Sequence, residues 1–211
     1  MVKGKFPLYK QSFGYSCGPA SLLMVMGAMD ENTALGLGTE VSIWEDANLG
    51  ESRATSSYGL ALAALRRGFK VKVRASGEEI GFTKRLKDHF PAIDAERMER
   101  LYETKKEEAR RLGVLEERGT TTTAGIREDL DRGFFPIVLI STRLMREIVP
   151  IPHWVVVVEM DSKKVKIANP ETAGIESYSM RRFSKHLGFD GYTCMVSILS
   201  REGRDQVSKM S

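Results

Sequence analysis

Apolar and polar positions along the chain change their period part-way. Residues 17–29, CGPASLLMVMGAM, are apolar on nearly every side after the first turn, the pattern of a helix buried in the middle of a domain. Pro19 falls in the first turn, where amide hydrogens have no intrahelical partner and proline is tolerated. Cys17 is therefore predicted to open a buried central helix. A second helix is predicted over 55–67, with Leu60, Leu62 and Leu65 set among alanines, stopping at Gly68 before an alternating strand at 69–73. After Gly133 the runs shorten and become β-branched. Residues 135–140, 153–160, 164–168 and 192–199 are bounded by turn formers and predict strands. Helices first and a sheet second make the fold class α+β.

Between these regimes the pattern is polar. Residues 82–118 are rich in Glu, Lys and Arg, with Glu96 and Arg100, and Glu107 and Arg111, at the four-residue spacing of solvated helices. They are expected to form a charged helical insertion. Four threonines at 120–123 suggest a linker and cap for a short helix over 124–132, which Gly133 terminates. Residues 200–211 are polar and aperiodic, the mark of a flexible tail. A single domain over 1–199 is the expected organisation.

Composition narrows the function classes. With 211 residues, 42% hydrophobic and 28% charged, the chain can bury one substantial core. No stretch approaches the roughly 20 apolar residues that cross a bilayer, and the opening MVKGKFP lacks the apolar centre of a signal peptide. A soluble, cytoplasmic protein is expected. The net charge of +4 is spread through intermingled acidic and basic residues, with no basic arm, so no nucleic-acid partner is expected. Two cysteines in an unexported chain are expected to stay reduced, leaving them free for chemistry.

Of those two, Cys17 has the better setting for a nucleophile, because a helix start favours the thiolate. Cys194 lies in an apolar strand and is expected to be core. A thiol nucleophile needs a base, and of His89, His153 and His186 only His153 opens a long apolar strand, HWVVVV. His89 and His186 stand among charges and are expected to be solvated. The imidazole needs an orienting group, and the following strand ends in Asn169 just before Pro170, which stops pairing. Strand alternation puts His153, Val155 and Val157 on one face, so Asn169 reaches that face only opposite Val155 or Val157. That register needs an odd-length turn or a bulge. An odd, three-residue loop at 161–163 is the prediction, and a simple two-residue turn at 162–163 counts against the pairing. Gln11, six positions before Cys17, is the candidate second oxyanion donor beside the Cys17 amide. The ten methionines are read as core filling, and two cysteines with three histidines offer no ligand pair at zinc spacing.

Three segments carry a resemblance. QSFGYSCGPAS at Gln11 to Cys17 and beyond, PHWVVV at His153 and IANP at Asn169 resemble the motifs of the bacteriocin-processing, double-glycine-leader cysteine peptidases within the papain-like group. The spacing of sixteen between His153 and Asn169 is similar too. The match is looser over 58–71 and 124–139. The chain differs in carrying Ser16 and Asn169 where the transporter-linked members usually carry aspartate. The resemblance implies a papain-like cysteine proteinase fold, a peptide or protein substrate, no cofactor, and hydrolysis of a peptide or amide bond through an acyl-thioester on Cys17. Transfer of the acyl group to an amine or thiol, and a catalytically idle peptide-binding module, are the alternatives.

Overall fold

The computed structural model describes residues 5–50, 53–77 and 94–199. The expectations placed on His89, on residues 82–93 of the charged insertion and on the 200–211 tail fall outside them.

The most apolar segment becomes the central helix. α1, Cys17–Met29, buries Leu22, Leu23, Met24 and Val25 completely, so it contacts protein on all sides. α2, Leu37–Ala47, escaped the sequence reading because its polar face is long, and it packs against both α1 and α3. α3, Ser57–Arg66, is capped by Ser56, whose side chain accepts from the Gly59 amide at 2.9 Å. Gly59 lets α2 and α3 cross at backbone contact, since a Cβ there would collide with the Ala47 carbonyl. α4, Ala95–Arg111, follows.

α4 is less solvated than its charge suggests. Met98, Tyr102 and Ala109 are buried, and this stripe docks on α3. The Glu96–Arg100 pair forms at 3.7 Å, but Arg111 turns to Glu108 at 3.9 Å, not to Glu107. The charged segment is also not wholly helical. Leu115–Arg118 is a strand, β2, which pairs in parallel with β1, Lys70–Ala75. Four residues with three charges give no apolar alternation to read, and an edge position tolerates them.

The remaining elements are α5 (Thr123–Asp131), β3 (Phe135–Ser141), a 3-10 turn (Thr142–Met145), β4 (Pro152–Met160), β5 (Lys164–Asn169), β6 (Gly174–Ser179), α6 (Met180–Lys185) and β7 (Cys194–Leu199). Among the described residues, seven strands form one sheet in the order β2-β1-β7-β3-β4-β5-β6, antiparallel except for β1 and β2. The last strand thus lies between β1 and β3.

Alternation sends the two sheet faces to two cores. Val71, Val73, Ile137, Leu139, Trp154, Val156, Val196 and Ile198 face α1 and α3 in the larger one. Val138, Ile140, Val155, Val157, Val165 and Ile167 face the other way, covered by Ile126 of α5 and Phe183 of α6. Complete burial of Phe183 contributes about 1.5–3 kcal/mol, which holds a helix of only six residues in place. Under α5, Lys72 and Ser197 both bond the fully buried Asp129, tying β1 and β7 to that helix. The architecture is the α+β arrangement expected, a helix that starts at Cys17 packed on a largely antiparallel sheet. Among the described residues no helix is long and apolar enough to cross a membrane.

The β4–β5 hairpin departs from the expected turn. Met160 pairs with Val165, and the Asp161 amide donates to the Lys164 carbonyl at 2.9 Å, so the turn proper is the two residues Ser162 and Lys163. The register then shifts between Val157 and Glu159, leaving Val158 as a bulge. Beyond it Val157 faces Ile167 and Val156 faces Ala168, which brings Asn169 opposite Val155. A bulge, not an odd loop, supplies the parity, and it arises inside a run of four valines where no residue type marks it.

Candidate active site

Cys17 stands at the first turn of α1, half-buried, with its thiol close enough to the His153 ring for each to shift the other's titration. Burial pushes the thiol pKa up. The hydrogen bond and charge of His153, with bonds from the Trp154 and Gly18 amides, more than offset this, and the net shift is below the ordinary thiol value. Ser16, at the N-cap of α1, makes no side-chain cap bond. Gly18 is needed for approach, because a Cβ there would run into Thr55 Oγ1.

His153 pairs across the sheet with Ile140 and is 4% exposed. Its Nε2 lies 3.0 Å from Asn169 Oδ1, leaving the other ring nitrogen for the sulfur. The direction of that bond is fixed by the far side of the amide. Asn169 Nδ2 donates to Glu176 Oε1 at 2.9 Å and to Met145 Sδ at 3.1 Å, so Oδ1 is the acceptor and Nε2 carries a hydrogen. Glu171 N–H also donates to Oδ1, at 3.0 Å. Burial lowers the His153 pKa, but the hydrogen bond and charge of Cys17, the bond to Asn169 and the charge of Glu171 raise it to about 8.

Glu176 was not singled out in the sequence. Its Oε1 also accepts from Thr172 Oγ1 at 2.9 Å, and Tyr178 donates to Oε2. A signal was available: Asn169 pairs with Gly174, so Glu176, two residues on, shares the face of Asn169.

Gln11 lies on the loop that leads to Cys17. Its backbone amide donates to the Pro170 carbonyl at 2.7 Å, which straps this loop to the residue following Asn169. Its side-chain Nε2 donates one hydrogen to the Phe13 carbonyl at 2.9 Å, and the second hydrogen remains for another acceptor. Gln11, Cys17, His153 and Asn169 are therefore brought to one end of the sheet. Cys194 is fully buried in the larger core, and His186 belongs to the end of α6.

A model described as a Peptidase_C39-like family matches residues 6–183. The chain belongs to the Peptidase_C39-like family. Membership supports a cysteine peptidase, and the matched span of this Peptidase_C39-like chain contains Gln11, Cys17, His153, Asn169 and Glu176 while stopping short of β7. Among solved structures it is similar to the peptidase domain of Streptococcus ComA, a bi-functional ABC transporter involved in a quorum sensing pathway. That likeness has 14% identity and a TM-score of 0.49 over 92% of this chain and 98% of the other. It is also similar to a double glycine motif protease from an AMS/PCAT transporter, solved with its leader peptide, at 18% identity and a TM-score of 0.47 over 94% and 97% of the two chains. No curated protein matches.

Proposed function

We propose that the protein is a cysteine peptidase or amidohydrolase that cleaves a peptide or amide bond through an acyl-thioester on Cys17. The observation that carries this reading is the placing of Cys17 at the start of a buried helix against His153, whose ring is bonded to Asn169. In the reaction the thiol proton sits on His153, and the Cys17 thiolate attacks the carbonyl carbon of the substrate. The tetrahedral oxyanion that forms is held by the Cys17 amide and the spare Nε2 hydrogen of Gln11. Collapse breaks the carbon–nitrogen bond as His153 gives its proton to the leaving amine. Water, activated by the now neutral imidazole, then attacks the thioester and releases the acid. Asn169 keeps the ring in the tautomer and orientation that both transfers need, and Glu176 keeps Asn169 from turning over.

The substrate is a peptide or protein, and no cofactor takes part in these steps. Digestion of a peptide library by wild type and by Cys17→Ala protein, read by mass spectrometry, tests the reading. Cleavage products are expected with wild type and none with the variant, while circular dichroism of the two stays the same. Equal cleavage by both proteins would remove Cys17 from the chemistry. A thiol that reacts with iodoacetamide at pH 6 no faster than free cysteine would instead favour an idle binding module.

A further inference from the structure

The loop from Ser12 to Ser16 joins the proposed oxyanion donor to the proposed nucleophile, and a single carboxylate outside the Cys17–His153–Asn169 chain holds it. Glu40, on α2, is fully buried. Its Oε1 accepts from the Ser12 amide at 3.0 Å and from the Ser16 hydroxyl at 2.6 Å. Its Oε2 accepts from the Tyr9 hydroxyl at 3.0 Å and, more distantly, from the Ser12 amide at 3.3 Å. A buried carboxylate is costly, and this one is retained with its oxygens filled by donors from one loop. Ser12 follows Gln11 and Ser16 precedes Cys17, so Glu40 fixes both ends of the connection. Ser16 also accepts from the Phe13 amide at 3.1 Å, which closes the loop on itself.

The Ser16 hydroxyl is thereby held away from the first turn of α1, where a serine at this position would ordinarily accept from an amide. The turn keeps its amide hydrogens for the oxyanion.

We infer that Glu40 is a positioning residue of the peptidase site, setting the Gln11 amide and the Cys17 amide at the separation that receives an oxyanion. This rests on the reading of Gln11 and Cys17 given above. It predicts that Glu40 matters for reactions that build an oxyanion and not for those that only need the thiolate.

Two small reagents separate these cases without knowledge of the substrate. p-Nitrophenyl acetate acylates the thiolate through a tetrahedral oxyanion, forming a carbon–sulfur bond and releasing p-nitrophenolate. Iodoacetamide alkylates it at a saturated carbon, releasing iodide with no oxyanion. In Glu40→Gln, the new amide NH2 faces donors and the loop loses its clamp. Acylation of Cys17 is expected to slow by about tenfold or more, below the roughly 10²–10³ effect of losing a whole donor, while alkylation stays within about twofold. Gln11→Ala should show the same pattern. The double variant should be no slower than Gln11→Ala alone, because Glu40 acts by setting the separation of a donor pair that Gln11→Ala has already broken. Should Glu40→Gln fail to fold, Ser16→Ala removes one clamp bond and is expected to give a smaller loss of the same kind.

Equal slowing of acylation and alkylation, or losses that multiply in the double variant, would overturn the positioning role. A normal acylation rate in Glu40→Gln alongside a slow Gln11→Ala would sink Glu40 and leave Gln11 standing. A normal rate in Gln11→Ala would remove the oxyanion role of Gln11 and the role of Glu40 with it.

Discussion

An imidazole held between a sulfur and an amide titrates as part of a pair, and the two shifts point in opposite directions. Cys17 lies below its usual value and His153 is raised to about 8, the two directions that favour a pair of thiolate and imidazolium. Acid protonates the sulfur and alkali removes the ring proton. The rate constant kcat/KM is therefore expected to fall as pH rises through about 8, with a second fall on the acid side. A pH–rate profile on any cleaved peptide checks this, and an alkaline limb near the ordinary histidine value would contradict it. Asn169 is fully buried with its amide bonded at both ends. Asn169→Ala frees the ring and removes one of the three donors to Glu176, and is expected to lower kcat by about 10²-fold and stability by about 1–3 kcal/mol, read by kinetics and urea unfolding. Asn169→Asp keeps an acceptor for Nε2 but sets a carboxylate against Glu176, so it should retain more activity than Ala while losing stability.

At the scale of elements, two contacts are expected to dominate tolerance to change. Gly59→Ala pushes a Cβ into the Ala47 backbone, which has no rotamer to yield, and should cost about 1–3 kcal/mol by denaturant unfolding. Asp129→Ala leaves Lys72 buried without its main partner and should cost about 3–5 kcal/mol. How far such elements are legible follows from their packing. α1 can be read residue for residue because burial on every side removes polar positions from it. β3, β4, β5 and β7 can be read from their β-branched runs. α2 and β2 cannot, because one carries a long polar face and the other almost no apolar residue. The same division applies to the candidate site. Gln11, Cys17, His153 and Asn169 stand in distinctive local contexts. Glu40 and Glu176 are ordinary glutamates until the folded chain surrounds them.

For the whole molecule, the site lies where a helical layer meets the sheet, with Cys17 on one and His153 and Asn169 on the other. Of the two cysteines only the half-buried Cys17 is expected to react with iodoacetamide under native conditions, Cys194 following after unfolding, as peptide mapping would reveal. The order of strands has a consequence for how such a site comes into being. Every side chain of the proposed chemistry has been synthesised once residue 176 leaves the ribosome, yet β1 with β2 and β3 with its neighbours have no edge in common until the final strand slides between them. A chain ending at residue 191 should thus carry a complete set of reactive groups and no hydrolytic power. Hydrolysis by a newborn chain is expected to begin only once residues 194–199 have been made and inserted.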